Sequence, residues 1–267
     1  MPLAVCATPI GNLEDVTLRV LRELAEADLV LCEDTRRTKI LLERHGIEAK
    51  LLSYHEHNEA ERTAQVLPRL ESGERVALTS DAGLPGVSDP GARLIEAALE
   101  AGLPVTVVPG PSAVETALVA SGLLGEQYRF LGYLPRAEKA RGELWEELGH
   151  WPHPVVAFES PRRLPASLAS LAARWPDRPV AVCRELTKRF ENVVRGSAAE
   201  VAARFAEPPK GEITLVVGGA PVSEGDEREA LAALAELVQA GVGRRQAADV
   251  VARLTGTSRN RLYRSSL

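Results

Sequence analysis

Cysteine, lysine and aromatic residues are all scarce in this chain of 267 residues. The three cysteines, Cys6, Cys32 and Cys183, stand far apart, each in an apolar run. That spacing excludes CxxC metal or redox pairs and points to a reducing compartment, the cytoplasm. No apolar run reaches the roughly 18 residues a membrane span needs. Residues 1–11 are apolar but lack the basic leader of a secretory signal. GxGxxG, GxxxxGK[ST] and HExxH are absent, so the two common nucleotide loops are excluded and no metal is expected. Only five of the 32 basic residues are lysines, a bias of composition and not of function. The net charge of −5 excludes a uniformly basic nucleic-acid coat, so any basic surface must be local.

What is present is globular: 45% hydrophobic and 26% charged residues, enough for one large domain or two ordinary ones. Apolar runs at 3–7, 29–32, 49–52, 75–79 and 104–108 read as buried strands. Helical spacing fills the gaps, over 17–27, 35–45, 59–70 and from Asp89-Pro90 to Ala101. In the last of these, aspartate is read as the N-cap and proline as the first turn. The alternation predicts a mostly parallel sheet covered on both faces.

Pro109-Gly110-Pro111 breaks the rhythm and is read as a domain junction. Beyond it, strands are expected at 129–132, 154–158, 180–183 and 213–217, with helices at 112–122, 136–148, 163–174 and 198–205. The expected organisation is an α/β domain over 1–109, a second over 110–221 and a helical appendage over 222–267. The appendage opens acidic, with a helix over 224–239. It ends arginine-rich: from 242 onward six arginines face one acid, Asp249. Helices over 245–254 and from Arg259 would form a helix-turn-helix-like unit.

Candidate chemistry collects at the ends of the expected strands. Ala7 to Leu13 reads ATPIGNL, where Gly11 permits a tight turn; alone it is an ordinary strand-to-helix loop. Cys32 to Thr38 reads CEDTRRT, either a capped, solvated first turn or a phosphate contact through Arg36 and Arg37. Ser53 to Glu59 reads SYHEHNE. Histidine's ordinary titration range suits it to accept a hydroxyl proton, although a polar loop is the plainer reading. Thr79 to Gly91 reads TSDAGLPGVSDPG, a stiff loop of small residues that lets a ligand approach the backbone, with Asp81 offering a carboxylate. Val108 to Ala113 reads VPGPSA, with Ser112 at a helix start where free N–H groups bind polar atoms. Later come FESPRR at 158–163, RELTK at 184–188 and KGE at 210–212.

Taken in order, these motifs resemble the tetrapyrrole-methylase superfamily of S-adenosylmethionine-dependent enzymes. Within it they are most similar to the bacterial branch that methylates a cytidine ribose 2′-oxygen of 16S rRNA near the decoding centre. The resemblance implies two α/β domains of the class III methyltransferase type, a small C-terminal helical segment, and a cofactor folded in the cleft between the halves. It implies a cofactor lining of Pro9, Asp81, Ala82, Gly83, Leu84, Pro85, Ser112, Ala113 and Phe158. It also implies 16S rRNA or the 30S subunit as partner, a homodimer, a cytoplasmic location and no membrane. Leu84-Pro85-Gly86 departs from the threonine and bulkier residue expected around that proline. Candidate bases for the hydroxyl proton are His57, Glu56, Asp34 and Glu159, with the His55–Asn58 loop preferred. The local basic surface is assigned to Arg36, Arg37, Arg162, Arg163 and the tail arginines Arg244, Arg245, Arg259 and Arg261. The alternatives are a methylase for a tetrapyrrole or other small acceptor, and an RNA-binding protein without catalysis.

Overall fold

A computed structural model describes residues 2–220, 224–255 and 257–266, with the backbone alone for 224–227. The chain divides into two compact units. The first holds residues up to Thr116 together with Glu185–Glu191, and the second holds Ala117–Arg184 and the residues from Asn192 onward. The expected boundary after Pro221 falls outside the described residues.

Unit one alternates β1 (Leu3–Cys6), α1 (Leu18–Glu26), β2 (Leu29–Cys32), α2 (Thr35–Arg44), β3 (Leu51–Ser53), α3 (Glu59–Glu71), β4 (Val76–Thr79), α4 (Ala92–Glu100) and β5 (Val105–Val108). The strands pair only in parallel, in the order β3-β2-β4-β1-β5. Successive strand side chains point to opposite faces. On one face Leu3, Val5, Leu29, Leu31, Val76 and Leu78 pack with Val66, Leu70, Leu94 and Ala98 of α3 and α4. On the other, Ala4, Cys6, Val30 and Ala77 meet Val20, Leu24, Leu41 and Leu42 of α1 and α2. Both faces are covered, which is why these strands read as unbroken apolar runs. Burying each of the large aliphatic side chains contributes about 1.5–3 kcal/mol.

Local signals set most of the helix ends. The Thr17 hydroxyl accepts from Val20 N–H to open α1, the Asp34 carboxylate accepts from Arg36 N–H to open α2, and Gly46 at φ +65° closes α2. The start of α4 differs from expectation. Asp89 and Pro90 lie outside it, and the helix opens at Ala92 behind Gly91, at φ +137°. The Pro90 carbonyl accepts from Gly86 N–H at 3.2 Å, and Gly91 N–H is held by Glu59. These two groups therefore close the loop and do not start the helix.

α5 (Ala113–Ser121) begins in unit one and ends in unit two. Unit two continues with β6 (Arg129–Tyr133), α6 (Glu138–Glu147), β7 (Val155–Glu159), α7 (Leu164–Arg174), β8 (Pro179–Arg184), β9 (Asn192–Ser197), α8 (Ala198–Arg204) and β10 (Ile213–Val217). Its sheet order is β6-β7-β10-β8-β9, and only β6–β7 is parallel. β9 is an addition to the expected elements. It is an edge strand, half polar (NVVRGS), so no buried apolar run announces it. The core beneath this sheet joins Val155, Ala157, Val180, Val182 and Leu215 to Trp145, Leu164, Leu168, Leu171 and Val201. Beside it the buried Arg178 guanidinium donates to the carbonyls of Leu148, Gly149, Trp151 and Gly218.

α9 (Glu224–Gln239), α10 (Arg244–Thr255) and α11 (Arg259–Ser265) close around their own small core of Ala230, Leu234, Ala247, Ala248, Val251 and Leu262.

Candidate functional site

In a parallel sheet every strand presents its carboxyl end on one edge, where open α/β sheets bind ligands. In unit one that edge carries the loops after β1, β2, β3, β4 and β5, which contain five of the motifs singled out above.

Hydrogen bonds tie these loops together. Thr8 N–H donates to the Gly83 carbonyl at 2.8 Å and Gly83 N–H returns the bond at 3.0 Å. The Thr8 hydroxyl donates to the Ser80 carbonyl at 2.9 Å. Asp81 Oδ1 accepts from Asp34 N–H at 3.0 Å, and its Oδ2 pairs with Arg37 at 3.2 Å. Asp81 N–H in turn bonds the Glu33 carboxylate. Glu59 Oε1 accepts from Gly91 N–H at 2.8 Å. Asn58 folds the turn after β3, accepting from His55 N–H at 2.8 Å and donating to the Ser53 carbonyl at 3.2 Å.

Close approach explains Gly11. A Cβ there would stand 2.5 Å from Lys188 Cγ, 2.9 Å from the Leu186 carbonyl and 2.9 Å from Thr187 Oγ1. The segment 185–191 is itself strained: Glu185 and Thr187 hold φ of +53° and +64°, and the Thr187 hydroxyl is buried without a hydrogen-bond partner among the described residues. Beside it an open pocket of about 400 Å³ is lined by Ile10, Asp15, Thr17, Gly110, Pro111, Thr116 and Thr187.

The electrostatics separate four carboxyls that look alike in sequence. The Arg36 guanidinium and backbone N–H hold Asp34 down to about 2. Burial, then the charge of Asp81, raises Glu33. Burial, then the charge of Glu33, pushes Asp89 up to about 6. Asp81 is partly buried beside all three. Glu33, Glu59 and Asp89 are not among the candidates the sequence offers. Asp89 reads there as a cap, and nothing in sequence spacing announces a carboxylate meeting a backbone 32 residues away.

The predicted residues distribute as follows. Pro9, Asp81, Ala82, Gly83, Leu84, Pro85, Ser112 and Ala113 all lie on the carboxyl edge of unit one. Phe158 lies on β7 of unit two, edge-to-face with Phe130 and Tyr133. Glu56 and His57 are exposed on the turn after β3, His57 edge-on to His55. Glu159 is 2% exposed in unit two, accepting from Ser160 N–H at 2.6 Å, the Ser167 hydroxyl at 2.5 Å and the Arg163 guanidinium. Arg36 and Arg162 are exposed, while Arg163 is turned inward onto Glu159 and the Leu134 carbonyl. Arg244, Arg245 and Arg261 are exposed, and Arg259 pairs with Asp249.

Residues 2–202 match the family model described as Tetrapyrrole (Corrin/Porphyrin) Methylases. The chain belongs to the tetrapyrrole methylase family. Two relatives, each named "Ribosomal RNA small subunit methyltransferase I", extend the likeness nearly end to end. The protein from Micromonospora olivasterospora is 45% identical over 98% of this chain and 85% of its own. That from Mesorhizobium japonicum is 43% identical over 99% and 91%. Among solved tetrapyrrole methylases, a uroporphyrin-III C-methyltransferase from Thermus thermophilus, complexed with S-adenyl homocysteine, shares the fold. Its TM-score is 0.56 at 21% identity, covering 81% of this chain and 96% of the other. The family model stops at 202, so α9–α11 lie beyond the part common to tetrapyrrole methylases and within the part matched by the rRNA-named relatives.

Proposed function

We propose that this protein transfers a methyl group from S-adenosylmethionine to the 2′-oxygen of a cytidine ribose in 16S rRNA near the decoding centre. The observation that carries the reading is the likeness to rRNA small-subunit methyltransferases across nearly the whole chain, the C-terminal helices included. A tetrapyrrole methylase would account for residues 2–202 but for nothing in the segment from 224 onward.

The residues of the carboxyl edge fit such a cofactor. Gly83 is buried at φ +83°, a backbone conformation that suits glycine, and lets the loop turn back against Ile10 and Pro111 beside the Asp81 carboxylate. Asp81 has two of its roughly four acceptor positions engaged, which leaves the others for hydroxyl or amine donors. On this reading Pro9, Asp81, Ala82, Gly83, Leu84, Pro85, Ser112 and Ala113 hold the cofactor, joined, on the resemblance alone, by Phe158. When bound, the cofactor supplies a methyl already activated by the sulfonium charge.

The protein's task is then alignment, with proton removal late in the transfer. His57 and Glu56 are proposed to take the hydroxyl proton, because they are accessible on the same edge. Asp34 is bound by Arg36, and Glu159 is enclosed by Arg163, Ser160 and Ser167, which leaves both poorly placed as bases. Arg36, Arg37, Arg162 and the tail arginines Arg244, Arg245, Arg259 and Arg261 are proposed to hold RNA phosphates. Arg163 has its guanidinium on Glu159 and the Leu134 carbonyl, so it would reach RNA only by leaving those partners. A homodimer and a cytoplasmic location belong to the same proposal; among the described residues no helix is long and apolar enough to cross a membrane.

The test is incubation of 30S subunits and naked 16S rRNA with methyl-labelled cofactor, followed by mapping of the labelled nucleotide. Label on one cytidine ribose supports the proposal. Label on a base, or only on an added tetrapyrrole, refutes it. Calorimetric titration with the cofactor separates an enzyme from an RNA-binding protein without catalysis.

A further inference from the structure

The loop 80–91 is fixed at two ends by unrelated means. Its near end is held by Thr8, through two backbone bonds to Gly83 and the hydroxyl bond to Ser80. At the far end Gly91 N–H reaches Glu59, the first residue of α3.

Gly91 transmits its position to the rest of the loop. Its φ of +137° suits glycine alone. An ideal Cβ there would lie 3.1 Å from Leu78 Cδ2, 3.2 Å from Gly86 N and 3.3 Å from Pro85 Cβ. The next turn is closed by Gly86 N–H onto the Pro90 carbonyl. A shift of Gly91 therefore presses on Pro85, the last residue of this loop in the cofactor lining proposed above, and on the turn that Gly86 closes.

Glu59 is built to hold still. It opens a 13-residue helix, where an acid complements the helix dipole. The preceding Asn58 does not cap that helix; its side chain folds the His55 turn instead. Behind the carboxylate stands Tyr54, 1% exposed, its hydroxyl hydrogen-bonded with Thr63 at 2.9 Å and close to the Glu59 charge.

We propose that Glu59 is a positioning residue for the methyl-transfer reaction: its carboxylate, anchored on α3, sets the distal end of the 80–91 loop and so the affinity for the cofactor. The inference rests on the proposed function above, and the two fail separately. If the wild-type chain does not bind S-adenosylmethionine, the functional reading fails first.

Three variants test the anchor by calorimetry with S-adenosylmethionine and by steady-state kinetics on 30S subunits. E59A removes the acceptor and should weaken cofactor binding about tenfold, the size of one charge-assisted bond to backbone. KM for the cofactor should rise in parallel, with kcat at saturation within about threefold of wild type. E59D keeps the acid in the first helical turn but falls one methylene short of Gly91, so it should behave like E59A. E59Q restores an oxygen at full reach and should bind within about threefold of wild type. Should E59A fail to fold, the E59D and E59Q pair decides alone. Wild-type affinity in E59D, a loss in E59Q as large as in E59D, or a fall in kcat with cofactor affinity unchanged would each overturn the proposal.

Discussion

Replacing Gly11 by alanine tests the claim that the TPIGN loop and the segment 185–191 are held in direct contact within unit one. The added methyl would meet three atoms at 2.5–2.9 Å, inside the distance real Cβ atoms keep. Lys188 Cγ can swing away, because its side chain is long. The Leu186 carbonyl cannot: it belongs to a turn whose Glu185 and Thr187 already sit at positive φ. Overpacking of this kind costs about 1–3 kcal/mol. At about 2–4 °C per kcal/mol for a chain near this size, the melting temperature should fall by several degrees. The displaced turn should also become a substrate for trypsin at Lys188 and Arg189. Gly243→Ala is the control, since a Cβ there meets nothing within 4 Å among the described residues. A Gly11→Ala protein that melts with the wild type and resists trypsin equally at these two bonds would show that the contact is not rigid, and the explanation of Gly11 would fall.

Three further outcomes follow from other parts of the molecule. Arg178→Met should destabilise unit two by about 3–5 kcal/mol in urea unfolding, because three buried carbonyls and one half-buried carbonyl lose their donor; a loss below about 1 kcal/mol would mean that water replaces it. Asp89→Asn should flatten the acid limb of the stability profile. A carboxyl raised from the usual carboxylate range to about 6 favours the fold fully below pH 4, and the advantage disappears as pH rises through 6. The wild type should therefore match the variant at pH 4 and trail it at pH 8 by about 1 kcal/mol, after allowing for solvent screening of a half-buried group; parallel profiles would refute the assignment. Substituting Arg244 and Arg245 together by alanine should weaken 16S rRNA binding and reduce the slope of log K against log salt by about 1.4–1.8, with cofactor affinity unchanged; an unaltered slope would remove both from the interface.

The first unit's fold is legible in the sequence because each of its strands is buried on both faces. Leu29 to Cys32, for example, could only be a covered strand once helical periodicity flanked it on either side. The second unit is less legible. β8, β10 and β7 are apolar and visible, but their direction depends on how connections route, and an antiparallel neighbour such as β9 leaves only a half-polar trace at an edge. The start of α4 departs from its sequence signal for a related reason. Asp-Pro is a sound helix opening in isolation, and it yields here because the Pro90 carbonyl and Gly91 N–H are taken by Gly86 and Glu59, partners that local sequence does not reveal.

The candidate site divides along the same line. The gathering of its motifs was legible, since motif after motif falls at a strand's carboxyl end, and a parallel sheet brings those ends to one edge. The role of each acid was not. Glu33 and Asp34 are adjacent in one motif, yet the first is raised by burial beside Asp81 and the second is held down to about 2 by Arg36. What differs is the direction each side chain takes from the end of β2: one meets Asp81 N–H, and the other turns back over the first turn of α2. Proton-accepting power at this edge is therefore a property of the folded loop cluster and not of any motif. An exchange of Glu33 and Asp34 would conserve composition and net charge while moving the α2 cap and the Asp81 contact to side chains of the wrong length.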